Sequence, residues 1–586
     1  MSTSPVTETT DLVTASVLIN GKEADTSYQV LSIDVTKAVN KVSSATLVIL
    51  DGNPATENFP ISDSGDFAPG TPIVIKAGYH SDEEIVFSGI IIKHCLKARQ
   101  GKSPVLIVEC KDSAVKMTIG RNNATFENAT DSDIIGQVIA QHKLQSSIES
   151  TSYINKELIQ YYCTDWDFIV SRAEVNSMIV TTDQDKITIA KPDSSQDAVL
   201  SLTYGHTILS FEIEADARTQ YPSVQASSWD MKSQALLQAT AEDPGVIQPG
   251  NFSPSSLAEV IGIPSFYLQS TSPLEQTDIQ NWANACLLKS RFSMVKGKIK
   301  FQGNALALPG KMVELVGLGD RFNGNAIVSS VWHSIEGGNW YTTVDLGLST
   351  SWFSETTENI VSPLASGVLP GISGLQNAVV QQIDSDPDNQ FRVMITIPVL
   401  NNKTVWARLA NLYATSTSGT FFYPEVGDEV IVGFLNEDPR FPVVLGSVYS
   451  STKTAPYTPD AKNETKAIVG KSQVKIVIDE DKKSLTLTTP ANNSIVLSDD
   501  AKSIVLSDEH GNKIEMSSSG ITIQSASDIT INANQKINAT ATSDMSLSGL
   551  SVSGSAQTQM TMKGNAAAEF SASGEVTVKG AMVMIN

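Results

Sequence analysis

Between residues 521 and 584 apolar side chains return every eight positions, and no other feature of the chain restricts its fold as tightly. Ile521, Ile529, Ile537 and Met545 mark one frame, with Ile523, Ile531, Ala539 and Leu547 two positions later in each unit. After a slip of one residue the frame resumes at Val552, Met560, Ala568, Val576 and Met584, accompanied by Met562, Phe570 and Val578. Upstream, the hexapeptide Ser-Ile-Val-Leu-Ser-Asp occurs at 494–499 and again at 503–508. The tail from about 480 to 586 is poor in aromatic residues and rich in Ser, Thr, Ala and Asn, a composition that alone reads as disorder. A disordered tail has no reason to hold a register, whereas a short strand plus a turn, repeated, does. Each unit carries two or three apolar residues, too few to offset its ordering entropy. The units must therefore stack, and several chains must wrap together, to bury these residues and pair the open strand edges. A trimeric triangular β-prism meets these demands, with Ile521, Ile523, Ile529, Ile531, Ile537, Met545, Val552, Met560 and Val576 packed inside.

The rest of the 586-residue chain is predicted to be mainly β. Short β-branched runs at 16–20, 28–32, 45–50, 72–76, 85–87 and 105–109, punctuated by turn clusters, suit a small antiparallel barrel. Residues 111–200 are mixed. Asp131-Ser-Asp133 starts a helix running from Ile134 to Lys143, a second helix starts at Thr164 or Asp165, and 186–190 is a strand. A third helix is expected from Trp282 to Phe292, and Pro363, Gly367, Pro370, Gly371 and Gly374 mark a linker at 354–374. Strands at 405–409, 429–434 and 443–447 form a compact β segment, in which Trp406 is large enough to fill a small barrel core.

Charge and chemistry narrow the function. The formal net charge of −22 opposes binding to nucleic acid or anionic lipid, though it also serves solubility alone. Between 376 and 450, Arg392, Lys403, Arg408 and Arg440 stand against eight acidic residues, which argues against a single-strand-binding barrel. Cys95, Cys110, Cys163 and Cys286 form no CxxC pair, so they read as free thiols of a reducing compartment and not as a zinc site. The first residues lack an apolar signal-peptide core, and no run of 18 apolar residues suggests a membrane span. There is no GxSxG, HExxH or P-loop. Asp384-Ser-Asp386-Pro-Asp388 begins like a calcium loop, but Asn389 and Ile395 stand where that loop needs Gly and Glu, so it reads as a polar turn. The six histidines are scattered along the sequence. No cofactor, metal site or catalytic residue is expected.

Three stretches together resemble the VgrG-type spike family of type VI secretion systems, and with it the spikes of extracellular injection particles and the hub-and-needle proteins of phage tails. The first comprises Gly297-Lys-Ile-Lys-Phe-Gln-Gly303, Pro309-Gly-Lys-Met-Val-Glu-Leu315, Gly319-Asp-Arg-Phe-Asn-Gly324 and Val331-Trp-His333. The second is Thr164-Asp-Trp-Asp-Phe168 with Arg172 and Glu174. The third is an OB-fold segment that includes Arg392, Trp406, Pro424, Gly427, Asp438, Pro439 and Gly446. The resemblance implies an N-terminal hub barrel at 1–110, an α/β insertion at 111–200, and a second hub barrel with a helical insertion at 201–353. After the linker at 354–374 it implies an OB-fold domain at 375–455 and a β-helical needle at 456–586. It also implies a homotrimer that caps a hexameric Hcp-like inner tube, sits among baseplate proteins, punctures the target membrane and delivers effector cargo. Assembly would be cytoplasmic, followed by expulsion. A PAAR-like tip protein, carrying its own metal, would bind Val583, Met584, Ile585 and Asn586. No lysozyme-like insert before the needle and no effector domain after Asn586 are expected, so cargo would travel through partners. Two rival readings are a phage-like needle with an embedded cell-wall hydrolase and an OB-fold nucleic-acid-binding protein.

Overall fold

The computed structural model describes residues 3–6 and 12–585. The chain divides into two units, Met1–Ser447 and Val448–Asn586.

In the first unit, strict in–out alternation builds the sheet. Along Lys41–Leu50, Ser43, Ala45, Leu47 and Ile49 face inward and their neighbours face outward. Val13–Ile19, Val30–Ala38, Pro72–Tyr79, Asp82–Arg99 and Lys102–Lys111 join it around a core that includes Val35, Leu47, Ile75 and Val108. A second strand group, which includes Leu200–Thr203, Ile208–Ala215, Val295–Gln302, Met312–Val316, Gly324–Glu336 and Asn339–Leu346, curls around Leu202, Phe301, Val331 and Val344. The two expected barrels share one sheet of 13 strands. Gly324–Glu336 lies antiparallel to Val30–Ala38, with Val331 opposite Lys37 and Glu336 opposite Ser32. At the end of the first resembling motif, Gly303 has no alternative: a Cβ there would lie 2.0 Å from the Trp340 indole.

The insertion packs two helices on short strands. Asp131–Gln141 and Asp165–Val175 are capped by Thr130 and Thr164, whose hydroxyls accept from the Asp133 and Asp167 amides at 3.2 and 3.1 Å. Acidic residues fill both first turns, where the helix dipole favours them. Ile134, Ile135, Val138, Trp166, Phe168 and Ile169 meet in one core. Gln276–Phe292 begins six residues ahead of the sequence expectation, at a Glu275/Asp278 capping box. A further helix, Pro254–Ile261, is absent from the sequence expectation, although Ser253, Pro254 and Gly262 (φ 73°) mark both its ends.

The turn at Asp183 fastens this insertion to the sheet. Lys37 is buried and paired with Asp183, and the Ser88 and Ser113 hydroxyls donate to Asp185 at 2.7 and 2.6 Å. The Ser43 amide donates to the Thr182 hydroxyl at 2.9 Å and the Ser43 hydroxyl to the Thr182 carbonyl at 2.8 Å. Asp112 is buried beside these acids, and burial, then Asp185, pushes its carboxyl up to about 6. A raised carboxylate pKa weakens the fold above about pH 6 and relents as pH falls toward the unfolded value. Asp112→Asn retains the oxygen that accepts from the Ala114 amide at 2.9 Å. By calorimetry of the full chain, this variant is expected to raise the first unfolding midpoint at pH 8 and leave it unchanged at pH 4. The shift corresponds to about 3 kcal/mol at most.

Gln376–Gln382, Val393–Thr396, Thr404–Leu409, Glu429–Phe434 and Pro442–Ser447 close a five-stranded barrel around Val380, Val393, Ile395, Val430, Val432 and Val444. Trp406 does not fill this core. Ala407 points inward, and Trp406 lies half-exposed with the Arg392 guanidinium 6.0 Å from its ring centre.

The second unit opens with a seven-stranded antiparallel meander in sequence order, from Thr465–Val469 to Gly520–Gln524. The sequence resemblance implies one β-helical needle over 456–586. The structure places Ile521 and Ile523 in the last meander strand, opposite Met516 and Ile514. The difference lies in the connections. Meander turns such as Thr489–Asn493 and Asp508–Asn512 are long enough, and carry the Asx and Thr hydrogen bonds, to reverse the chain.

Candidate assembly surface

One face of the meander carries two aliphatic columns. Ile478, Leu485, Leu497, Ile504 and Met516 pair in one column, and Ile476, Leu487, Ile495, Leu506, Ile514 and Ile523 in the other. Such cross-strand ladders stabilise a sheet when the face is dry, yet Ile476, Ile495, Leu506 and Ile514 are 37–40% exposed in the single chain. The second column borders an apolar groove of about 790 Å³, which Ile529 also lines. A bare apolar surface of this kind marks an interaction site.

Beyond Gln524 the backbone bends at 526–527, 534–535 and 542–543, then at 549–550, 557–558, 565–566, 573–574 and 581–582. The spacing is eight, except for a seven at the point where the apolar frame slips. Each frame residue from Ile529 to Met584 follows its bend by two positions, so the phase is reset at every corner. Successive units touch: a Cβ on Gly554 would lie 2.5 Å from the Met560 methyl. No strand pairing within the chain occurs among residues 525–585. Ile531, Ile537, Met545, Val552, Met560 and Val576 are all exposed, as are Val583, Met584 and Ile585 at the tip. Asn586 lies outside the described residues. The single chain thus leaves a long run of backbone donors, acceptors and apolar side chains without partners of their own.

The OB-motif residues serve barrel geometry. Arg392 donates to Asp386 at 2.6 Å and also pairs with Asp388, which occupies the polar turn at 384–388. The Arg392 hydrogen bond holds the Asp386 carboxyl well below the usual carboxylate range. Pro424 is buried ahead of a tight turn in which Gly427 takes φ 87° and its amide reaches the Val380 carbonyl at 2.8 Å. Asp438 is buried, accepting from the Arg440 guanidinium at 2.6 Å, and Pro439 follows it into the turn. Gly446 sits opposite Ile431 in the closing strand. His333 is fully buried, and burial lowers it to about 3, so it stays neutral as it bonds Thr342 at 2.9 Å. Glu174, quoted in the second resembling stretch, joins four elements: it pairs with Lys289 at 2.8 Å and accepts from Asn40 at 3.1 Å and from the Phe353 amide at 2.7 Å. Among the described residues, no group of three or more His, Cys, Asp or Glu side chains is arranged to hold a metal ion. No helix among them is long and apolar enough to cross a membrane.

Residues 9–337 match the family described as the Alg8 N-terminal domain. Residues 376–449 match the type VI secretion system/phage-baseplate injector OB domain, and residues 484–586 match the phage baseplate V C-terminal trimerisation domain. The chain is similar to the type VI secretion system spike protein VgrG3 of Vibrio cholerae serotype O1, 44% identical over 85 residues, or 13% of this chain and 8% of the relative. It is also similar to the spike protein VgrG1c of Pseudomonas aeruginosa, 33% identical over 104 residues, or 16% of this chain and 14% of the relative. The matched stretches thus span only a small part of these curated relatives. The 43 kDa tail protein of prophage MuSo2 from Shewanella oneidensis superposes with a TM-score of 0.44 at 10% identity, covering 58% of this chain and 99% of that one.

Proposed function

The chain belongs to the family of the Alg8 N-terminal domain, and from its matches to the injector OB domain and the baseplate trimerisation domain we propose that it is the trimeric spike and baseplate hub of a contractile injection machine. Its role is structural and not catalytic. The bare aliphatic face of the meander, continued by an octad trace with no partner in its own chain, carries this reading. Two further copies bury the aliphatic columns and complete the ladders that a lone chain leaves open. The match to a trimerisation domain at 484–586 supports three copies.

The first unit forms the hub in this proposal. Two curled strand groups per chain give six per trimer, a number suited to capping a sixfold Hcp-like tube. Baseplate proteins surround the hub, a PAAR-like tip protein covers the far end around Val583–Ile585, and effector cargo travels with the spike through the target membrane. Assembly takes place in the cytoplasm before expulsion. Light scattering on the purified full chain is expected to give a trimer that persists in denaturant concentrations sufficient to unfold ordinary domains. A well-folded monomer at micromolar concentration overturns the proposal.

A further inference from the structure

The barrel domain carries an apolar surface of its own. Between Thr404–Leu409 and Glu429–Phe434 the chain throws out a small hairpin, with Ala414 opposite Gly419 and Thr415 opposite Ser418. The Thr420 amide reaches the Tyr413 carbonyl at 2.9 Å, which extends the pairing to the aromatic residues at its base. Leu412 is 98%, Phe421 81% and Phe422 67% exposed. The Phe421 and Tyr423 rings lie 5.0 Å apart, and the Tyr423 hydroxyl donates to the Phe391 carbonyl at 2.9 Å, which brings exposed Phe391 beside the same patch. Tyr423 packs against the barrel core, whereas Leu412, Phe421, Phe422 and Phe391 stay exposed. Exposed aromatic groups on an ordered hairpin mark a docking surface.

We propose that this hairpin is a second threefold contact, through which the three barrels of a trimer meet around the axis. The inference rests on the trimeric reading and adds to it an interface outside the trimerisation domain. Two observations select another copy of this chain as the occupant. The first is charge. From Leu409 to Pro424 there is no charged residue, in a chain that is 18% charged and carries −22 overall. At a threefold axis each residue faces its own copies, so any charge there meets like charge, and only an uncharged segment avoids that repulsion. The second is continuity. The last barrel strand ends at Ser447 and the first strand of the tail unit begins at Thr465, so chains joined through their tails keep three barrels on short tethers. Tethering raises the effective concentration of the barrels to the millimolar range, where a modest apolar contact forms.

Ser416→Cys, at the exposed hairpin tip, tests this in the full chain. Under mild oxidation it is expected to give a disulfide-linked dimer on a non-reducing gel, at least tenfold above both wild type and a Lys403→Cys collision control. Light scattering of the same sample should still read a trimer. Adding Phe421→Ser and Phe422→Ser should cut the cross-link at least tenfold while the trimer persists. A trimer without the Ser416→Cys cross-link overturns this contact and leaves the trimeric reading standing, whereas a monomer overturns the trimeric reading itself. A cross-link that survives loss of both phenylalanines also overturns the inference, because the contact would then not rest on the aromatic patch.

Discussion

Ile529→Asp is expected to prevent the tail from assembling, converting the trimer to monomer or aggregate and exposing residues 465–585 to protease. Ile529 follows the first bend of the octad and lines the apolar groove of the meander, where the two halves of the tail unit meet. In a trimer the substitution introduces three carboxylates at equivalent positions near one axis. Each unpaired buried charge costs several kcal/mol, and their mutual repulsion adds to it. A single site therefore acts three times, which makes the effect far larger than that of a core substitution in a monomer. The control is Asp528→Asn. A charge already stands one position away, so the octad accommodates charge on that side, and the amide should leave assembly within experimental error. Mass by light scattering and the protease pattern of the tail are the readouts, with delivery into target cells as the functional measure. An intact, protease-resistant trimer carrying Ile529→Asp removes Ile529 from the buried face and weakens the case for the prism.

Legibility differed between the ends of the chain for physical reasons. The octad was readable because its period is local: the same two apolar positions recur after each corner, and even the slip between Met545 and Val552 has its counterpart in the seven-residue spacing of the bends. The meander was merged with it because both use Ser, Thr and aliphatic residues, and only turn length tells a reversing hairpin from a corner. The shared hub sheet was not readable. Pairing of Val30–Ala38 with Gly324–Glu336 joins segments almost 300 residues apart, and no local pattern encodes it. Asp82–Arg99 was recognised only at 85–87, because beyond Ile91 the strand runs through Lys, His and Arg without an apolar alternation. For Trp406 the signal was present and unused. Trp406 and Arg408 share a strand face, and the charge on Arg408 places that face outside. For Glu174, the sequence supplied the residue without its work, since its partners come from segments up to 179 positions away.

Those partners make Glu174 the site of the second large effect. Glu174→Ala is expected to destabilise the first unit by roughly 3–5 kcal/mol, because it strands a buried cation. Both members of the Glu174–Lys289 pair are about nine-tenths buried, and among the described residues Lys289 has only the Ser351 carbonyl at 2.7 Å and the face of Trp352 to replace the lost carboxylate. The same carboxylate holds Asn40 at the turn between two sheet strands and the Phe353 amide at the start of the 353–374 segment. Its loss should therefore loosen the insertion, the long helix Gln276–Phe292 and the strap leading to the barrel together. Limited proteolysis between 353 and 374 should accelerate at least tenfold, with a lowered first calorimetric transition. The double variant Glu174→Leu/Lys289→Met removes the charge with its partner and fills the space with apolar atoms. It should recover most of the lost stability, because the penalty comes from the stranded ammonium and not from the missing ion pair as such. If the double variant is no more stable than Glu174→Ala, the junction depends on the hydrogen bonds to Asn40 and Phe353, and the buried charge is secondary.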